Sequence, residues 1–161
     1  MALSFVETVQ QVADSLGICA TLLYSICSVE SSGRNVINYY DGKTHSYGMC
    51  QIKLETARMF NPNLTQADLM IPHKNIYYAA MYLKRQKKRY EKEWDCVVAS
   101  YNAGSCFRKR NGQVVNNEYV KKVSKEYRKN SHRRAAIRPN LRYCPKAIGR
   151  ENILARQKLQ K

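Results

Sequence analysis

Apolar positions recur at helical spacing along most of the chain. Val6, Val9, Ala13 and Leu16 form one stripe, with Ser4 and Glu7 as a capping box ahead of it, so a helix is predicted as far as Gly17. From about Ala20 to Glu30 the pattern changes. Leu22, Leu23, Ile26, Cys27 and Val29 cover nearly every side, which predicts a buried helix stopped by Ser31, Ser32 and Gly33. Residues 34–48 carry no such period and contain an Asp41-Gly42 turn signal, so a loop or short β-hairpin is expected there. A short helix over "QIKLETARMF" should close at Asn61-Pro62. A long amphipathic helix follows, entered by Pro72, with Ile76, Ala79, Ala80 and Leu83 inward and its lysines and arginines outward. "WDCVVASYNAGS" reads as a helix capped by Asp95 and ended by Gly104, and "NEYVKKVSKEYRK" as the last one. The fold class is therefore mainly α, with a short hairpin or loop region after the buried helix.

Length and charge divide this picture. The chain of 161 residues suits one domain with a real core. Residues 1–120 hold 14 Lys/Arg and 10 Asp/Glu, a net of +4, whereas residues 121–161 hold 14 and 2, a net of +12. The expected organisation is a domain over 1–128 and a basic C-terminal extension over 129–161, where Pro139 and Pro145 break any long helix. No apolar run reaches the roughly 18 residues of a membrane span. The N-terminus carries Glu7 and Asp14 and no basic region, so no secretory signal is expected. The six cysteines contain no CxxC pair and there are three histidines, so no metal or cofactor is expected. Cys19 and Cys27 are too far apart on one helix to bridge, and the cysteines are expected as free, mostly buried thiols.

"SVESSG" (28–33) is the unusual stretch. Glu30 ends a buried helix, where the negative end of the macrodipole and apolar neighbours both disfavour its charge. Those conditions suit a protonated general acid near neutral pH; the other reading of this stretch alone is an exposed helix-end glutamate followed by an ordinary cap. Four further segments stand in order behind it: "SYGMCQI" (46–52), "NIYYAAMYLKRQKKRY" (75–90), "ASYNAGS" (99–105) and "EYVKKV" (118–123).

Together with "ICSVESSG" these segments resemble the soluble lytic transglycosylase (SLT) domain family, related to goose-type lysozymes, over about residues 15–125. They look like its Glu-Ser, Gly-Leu-Met-Gln, Asn-Ile helix, Ala-Tyr-Asn-Ala-Gly and Tyr-Val motifs. The resemblance implies a lysozyme-like fold and cleavage of the β-1,4 bond between N-acetylmuramic acid and N-acetylglucosamine in peptidoglycan. Glu30 would be the single acid, then base, closing a 1,6-anhydro ring. Ser31 would orient it or the substrate. Gly48 would let the backbone approach a sugar, and Met49 and Gln51 would line the glycan groove. Tyr101 and Asn102 would sit opposite, the Tyr101 hydroxyl near the Glu30 carboxylate, and Tyr119 would close the site. Asp41 is the candidate for activating a water, which would give hydrolysis as in goose-type muramidases; its other reading is a turn residue before Gly42.

The sequence departs from the family pattern in places. Cys50 stands where the family has methionine, which implies a looser groove wall, and Val115 stands where many relatives have glutamate. Tyr39-Tyr40 and Tyr77-Tyr78 are expected to pack rather than stack on sugars. The basic extension suits anionic envelope or virion components, or wraps the domain through Ile137, Leu141, Tyr143, Ile148 and Leu154. An exported housekeeping enzyme would carry a signal, so the expected setting is a bacteriophage: a monomeric lysis enzyme held in the host cytoplasm until released through membrane holes, or a virion component. The non-enzymatic alternative is an inactive structural or nucleic-acid-binding particle protein.

Overall fold

Helix α1 (Phe5–Leu16) begins at the predicted capping box. The Ser4 hydroxyl accepts from the Glu7 N–H at 3.3 Å and the Glu7 carboxylate from the Ser4 N–H at 2.8 Å. Gly17, with φ +62°, ends it in the left-handed region that glycine tolerates best. The structure, a computed structural model, describes residues 3–131, 137, 143–146 and 148.

Helix α2 (Ala20–Ser31) is the centre of the core. Leu22, Leu23, Ile26 and Cys27 are all buried, as a helix apolar on every side requires. It packs against α1 on one side and α7 (Asn117–Ser131) on another. Helix α5 (Pro72–Tyr90) lies on α1 and α6 (Trp94–Ala103), and α6 also packs on α7. Between α2 and α5 the chain makes a small antiparallel sheet in the order β1 (Ile37–Asp41), β2 (Thr44–Tyr47), β3 (Ile52–Lys53). Asp41 faces Thr44 across the Gly42-Lys43 turn, so the predicted hairpin is present. Two short helices follow, α3 (Leu54–Arg58) and α4 (Gln66–Leu69). The architecture is mainly helical with one small sheet.

Several expectations need correction. β3 is two residues long and exists through its pairing with β2, so no local pattern announces it. α4 was legible in principle from its Thr65/Asp68 capping box. Asp95 does not cap α6. Glu93 holds the N-cap position and Asp95 lies in the first turn. Tyr77 and Tyr78 pack edge to face and Tyr39 packs edge-on against His45, but Tyr40 stands out from β1 at 93% exposure.

The largest correction concerns the cysteines. All six are paired: Cys19–Cys144, Cys27–Cys50 and Cys96–Cys106. The bar on a Cys19–Cys27 bridge holds, but each residue meets a partner that only the tertiary fold delivers. Cys19–Cys144 fastens the extension to the start of α2 across 125 residues of sequence. Around it the Tyr127 hydroxyl donates to the Pro145 carbonyl at 2.8 Å and the Ser124 hydroxyl to that of Ile148 at 2.7 Å. Ile137 and Ile148 are buried, and the Tyr143 ring lies against Gly17 with the Lys87 ammonium above it. Leu141 and Leu154 lie outside the described residues.

The pairing is directly checkable. A thiol-alkylating reagent should add to none of the cysteines in the denatured, unreduced protein and to all six after reduction, read by intact mass. Reduction should also lower the melting temperature, because a cross-link closing a loop of this size stabilises by about 5 kcal/mol in the chain-entropy picture.

Candidate active site

A cleft of about 250 Å³ opens where the C-terminal end of α2 meets the sheet and α6. Glu30 enters it from α2, Asp41 from the end of β1, Gln51 and Lys53 around β3, Glu55 and Thr56 from α3, Tyr82 from α5, and Tyr101 through Gly104 from α6. Glu30 is half-buried at the penultimate position of its helix. Its Oε1 accepts a hydrogen bond of 2.5 Å from the Tyr119 hydroxyl of α7. Desolvation raises its pKa to about 7; the Tyr119 hydrogen bond opposes the rise and the nearby Asp41 charge adds to it. The carboxyl is therefore poised between donor and acceptor at neutral pH.

The loop at 48–51 is fixed to α2 from several directions. The Cys27–Cys50 disulfide joins it to the helix three residues before Glu30. The Ser31 hydroxyl donates to the Met49 carbonyl at 2.6 Å. The Tyr101 hydroxyl donates to the Cys50 carbonyl at 3.0 Å. Beneath the loop lies Asn75, which is fully buried. It accepts from the Cys50 N–H at 2.9 Å and donates to the Tyr47 and Leu69 carbonyls at 2.7 and 2.9 Å. An unpaired buried amide would be costly, and here every polar end is used.

These contacts reassign several residues. Ser31, Gly48 and Met49 do not line the cleft but brace its floor. Gly48, at φ +74°, faces inward: a Cβ there would collide with the Asn75 side chain and come within 2.7 Å of the Leu69 carbonyl, so its close approach is to Asn75 and not to a sugar. Cys50 is cross-linked and buried, so the wall is tied down where a looser one was expected. The hydroxyl on Glu30 belongs to Tyr119; that of Tyr101 is spent on the Cys50 carbonyl, although the Glu30 charge still helps burial push the Tyr101 phenol up.

Gln51 lines the cleft with an unusual backbone, φ +49°. Its amide donates to the Val36 and Gly48 carbonyls at 3.0 and 2.8 Å and accepts from the Ser46 hydroxyl at 2.8 Å. Those bonds hold the strained residue in place, and its oxygen has capacity for one further donor. Asn102 is exposed at the opposite rim, its oxygen accepting from Asn116 at 2.9 Å. Asp41 faces the same cleft, 3.6 Å from the Lys53 ammonium.

Sequence reasoning assigned no role to Asn75, Lys53, Glu55 or Tyr82. Asn75 had a visible signal: with Gln86 it puts a polar group into the apolar stripe of α5, and both are buried. Lys53 had none, because β3 itself was not legible.

Against this geometry, a family model described as "Transglycosylase SLT domain" matches residues 7–125. The chain belongs to that family. The SLT match covers Glu30, the braced loop, α5, α6 and Tyr119, and it gives the chain the family's general activity, that of a peptidoglycan lytic transglycosylase. No curated protein matches the chain.

Two consequences follow for the SLT site. Glu30 binds a proton in the folded protein between its unfolded value of 4.5 and about 7, where the unfolded chain does not, so its ionisation costs stability as pH rises through that window. Glu30→Gln, which keeps the Tyr119 bond, should therefore melt higher than wild type at pH 8, with the gap closing below pH 4.5, read by scanning calorimetry. Tyr119→Phe removes the one contact that favours the charged form. In that variant the alkaline limb of the pH–rate profile should move to higher pH; a limb left in place or shifted down would refute the assigned contact.

Proposed function

We propose that this protein cleaves the glycosidic bond between N-acetylmuramic acid and N-acetylglucosamine, using Glu30 alone as acid and then base, and releases a 1,6-anhydromuramic end. The observation that carries the reading is the Glu30 carboxyl itself: partly withdrawn from water, bonded to Tyr119, open to one cleft and tuned to about pH 7. The protonated Glu30 gives its proton to the bridging oxygen as the bond to the muramyl C1 breaks. The neighbouring N-acetyl group supports the positive charge at C1. The Glu30 carboxylate then takes the proton of the muramyl C6 hydroxyl, whose oxygen bonds to C1 and closes the ring. No water is consumed.

Asp41 supports a second outcome, because it lines the same cleft and its charge reaches Glu30. A water held there would attack C1 and give ordinary hydrolysis. The Lys53 ammonium and the hairpin pairing to Thr44 both engage Asp41, which favours the structural reading of that residue.

The cystines bear on where this happens. Disulfides persist in oxidising compartments and are rare in reducing cytoplasm, so the paired form suits action in the wall compartment. Of the settings expected from sequence, bacteriophage lysis or penetration of the wall by a virion, both deliver the enzyme there. Cytoplasmic storage would require that pairing follow release.

Mass spectrometry of digested, purified peptidoglycan is the decisive measurement. The expected products are muropeptides lighter by one water than the hydrolytic ones. Reducing muramic ends alone would replace this reading with the muramidase one. Glu30→Gln should lower the rate at least about a hundredfold, the usual size of a lost general acid, and wild-type activity in that variant would remove Glu30 from the mechanism.

A further inference from the structure

The charged groups lining the cleft are unevenly signed. Glu30, Asp41 and Glu55 are acidic, and Lys53 is the one cationic side chain among the described lining residues. A chain with a net charge of +16 has thus made its cleft predominantly acidic. Lys53 is also loosely held. Its ammonium lies 3.6 Å from Asp41 Oδ2 and donates to the Asp41 carbonyl at 3.3 Å, both longer than the roughly 2.8 Å of a committed charge-assisted bond. An ammonium has three donors, so capacity remains for an incoming acceptor. About a third of the side chain is exposed, on a strand that forms the cleft wall.

The glycan proposed above alternates a neutral sugar with one whose 3-O-lactyl substituent bears acid groups. In stripped strands the lactyl carboxylate is free; in intact wall it is amidated, and the next carboxylates belong to the peptide stem. With Glu30 protonated for its role as acid, Asp41 and Glu55 are the described lining groups that repel such a substituent, and Lys53 is the described one that attracts it. We infer that Lys53 is a carboxylate-binding residue that seats the acidic substituent of the muramyl sugar and so fixes the register of the strand over Glu30. This rests on the peptidoglycan reading. It assigns Lys53 to specificity, with no part in proton transfer.

The test compares kcat/KM on peptide-bearing glycan, on peptide-stripped glycan with free lactyl carboxylates, and on stripped glycan whose carboxyls are converted to methylamides. Wild type should prefer a carboxylate-bearing substrate over the neutralised one by about fivefold, the scale of a partly exposed ion pair. Lys53→Met should collapse that ratio toward one through KM, and Lys53→Arg should restore most of it. Preference confined to stripped glycan identifies the lactyl carboxylate, and preference confined to peptide-bearing glycan identifies the stem. Equal cleavage of charged and neutralised glycan by wild type would overturn the site. So would a Lys53→Met loss of the same size on all three substrates, which would make Lys53 only a brace for Asp41. Absence of product from every substrate with wild type would instead overturn the peptidoglycan reading, and the inference with it.

Discussion

A carboxyl that must donate a proton near neutral pH has to be kept out of water and yet reach its substrate. Glu30 meets both demands because the helix that carries it is buried along nearly its whole length and surfaces only at its last turn. Burial lifts the pKa, and the Tyr119 hydroxyl limits the lift, so the group settles at about 7 and can switch role within one turnover. An isolated buried carboxyl would climb higher and give up its proton less readily; a solvated one would already be ionised at neutral pH, with no proton to give. The position of α7 against α2 is therefore part of the chemistry, since it brings Tyr119 to within 2.5 Å of the carboxyl.

The same demand explains the effort spent on the loop at 48–51. Its backbone carries two left-handed residues, Gly48, which adopts that conformation freely, and Gln51, which relaxes from it unless surrounding contacts enforce it. Asn75 enforces it from below, the Cys27–Cys50 bond from α2, and Tyr101 from α6. Three separate elements thus agree on one loop geometry next to Glu30. A cleft whose floor is held this firmly loses little entropy on binding a rigid polymer, which is the advantage of a preformed site.

Much of this was legible from the chain. The helices declared themselves through period and capping, and Glu30 was marked by its place at the end of an apolar run. What was not legible depends on tertiary distance. Cys50 looked like a loosened wall residue because nothing local shows that it reaches Cys27, 23 residues away in sequence. Tyr101 was expected with its hydroxyl near Glu30, and the Glu30 charge does reach it, but its hydrogen bond goes to the Cys50 carbonyl, an acceptor that only the packing offers. Gly48 was read as room for a ligand, although a glycine can equally make room for the protein's own side chain, as it does for Asn75.

The extension shows why charge and packing have to be weighed separately. Its sequence is the most basic part of the chain, which invites a purely electrostatic reading. Yet the described part of it is anchored by a disulfide, two hydrogen bonds to backbone carbonyls and the buried Ile137 and Ile148. The hydrogen-bonding partners Ser124 and Tyr127 come from α7, the helix that also presents Tyr119. Anchoring the extension therefore holds α7 in place, and with it the hydroxyl that tunes Glu30. The described groups that anchor the extension are all uncharged, so its hold on α7 comes from packing, cross-linking and hydrogen bonding and not from its charge.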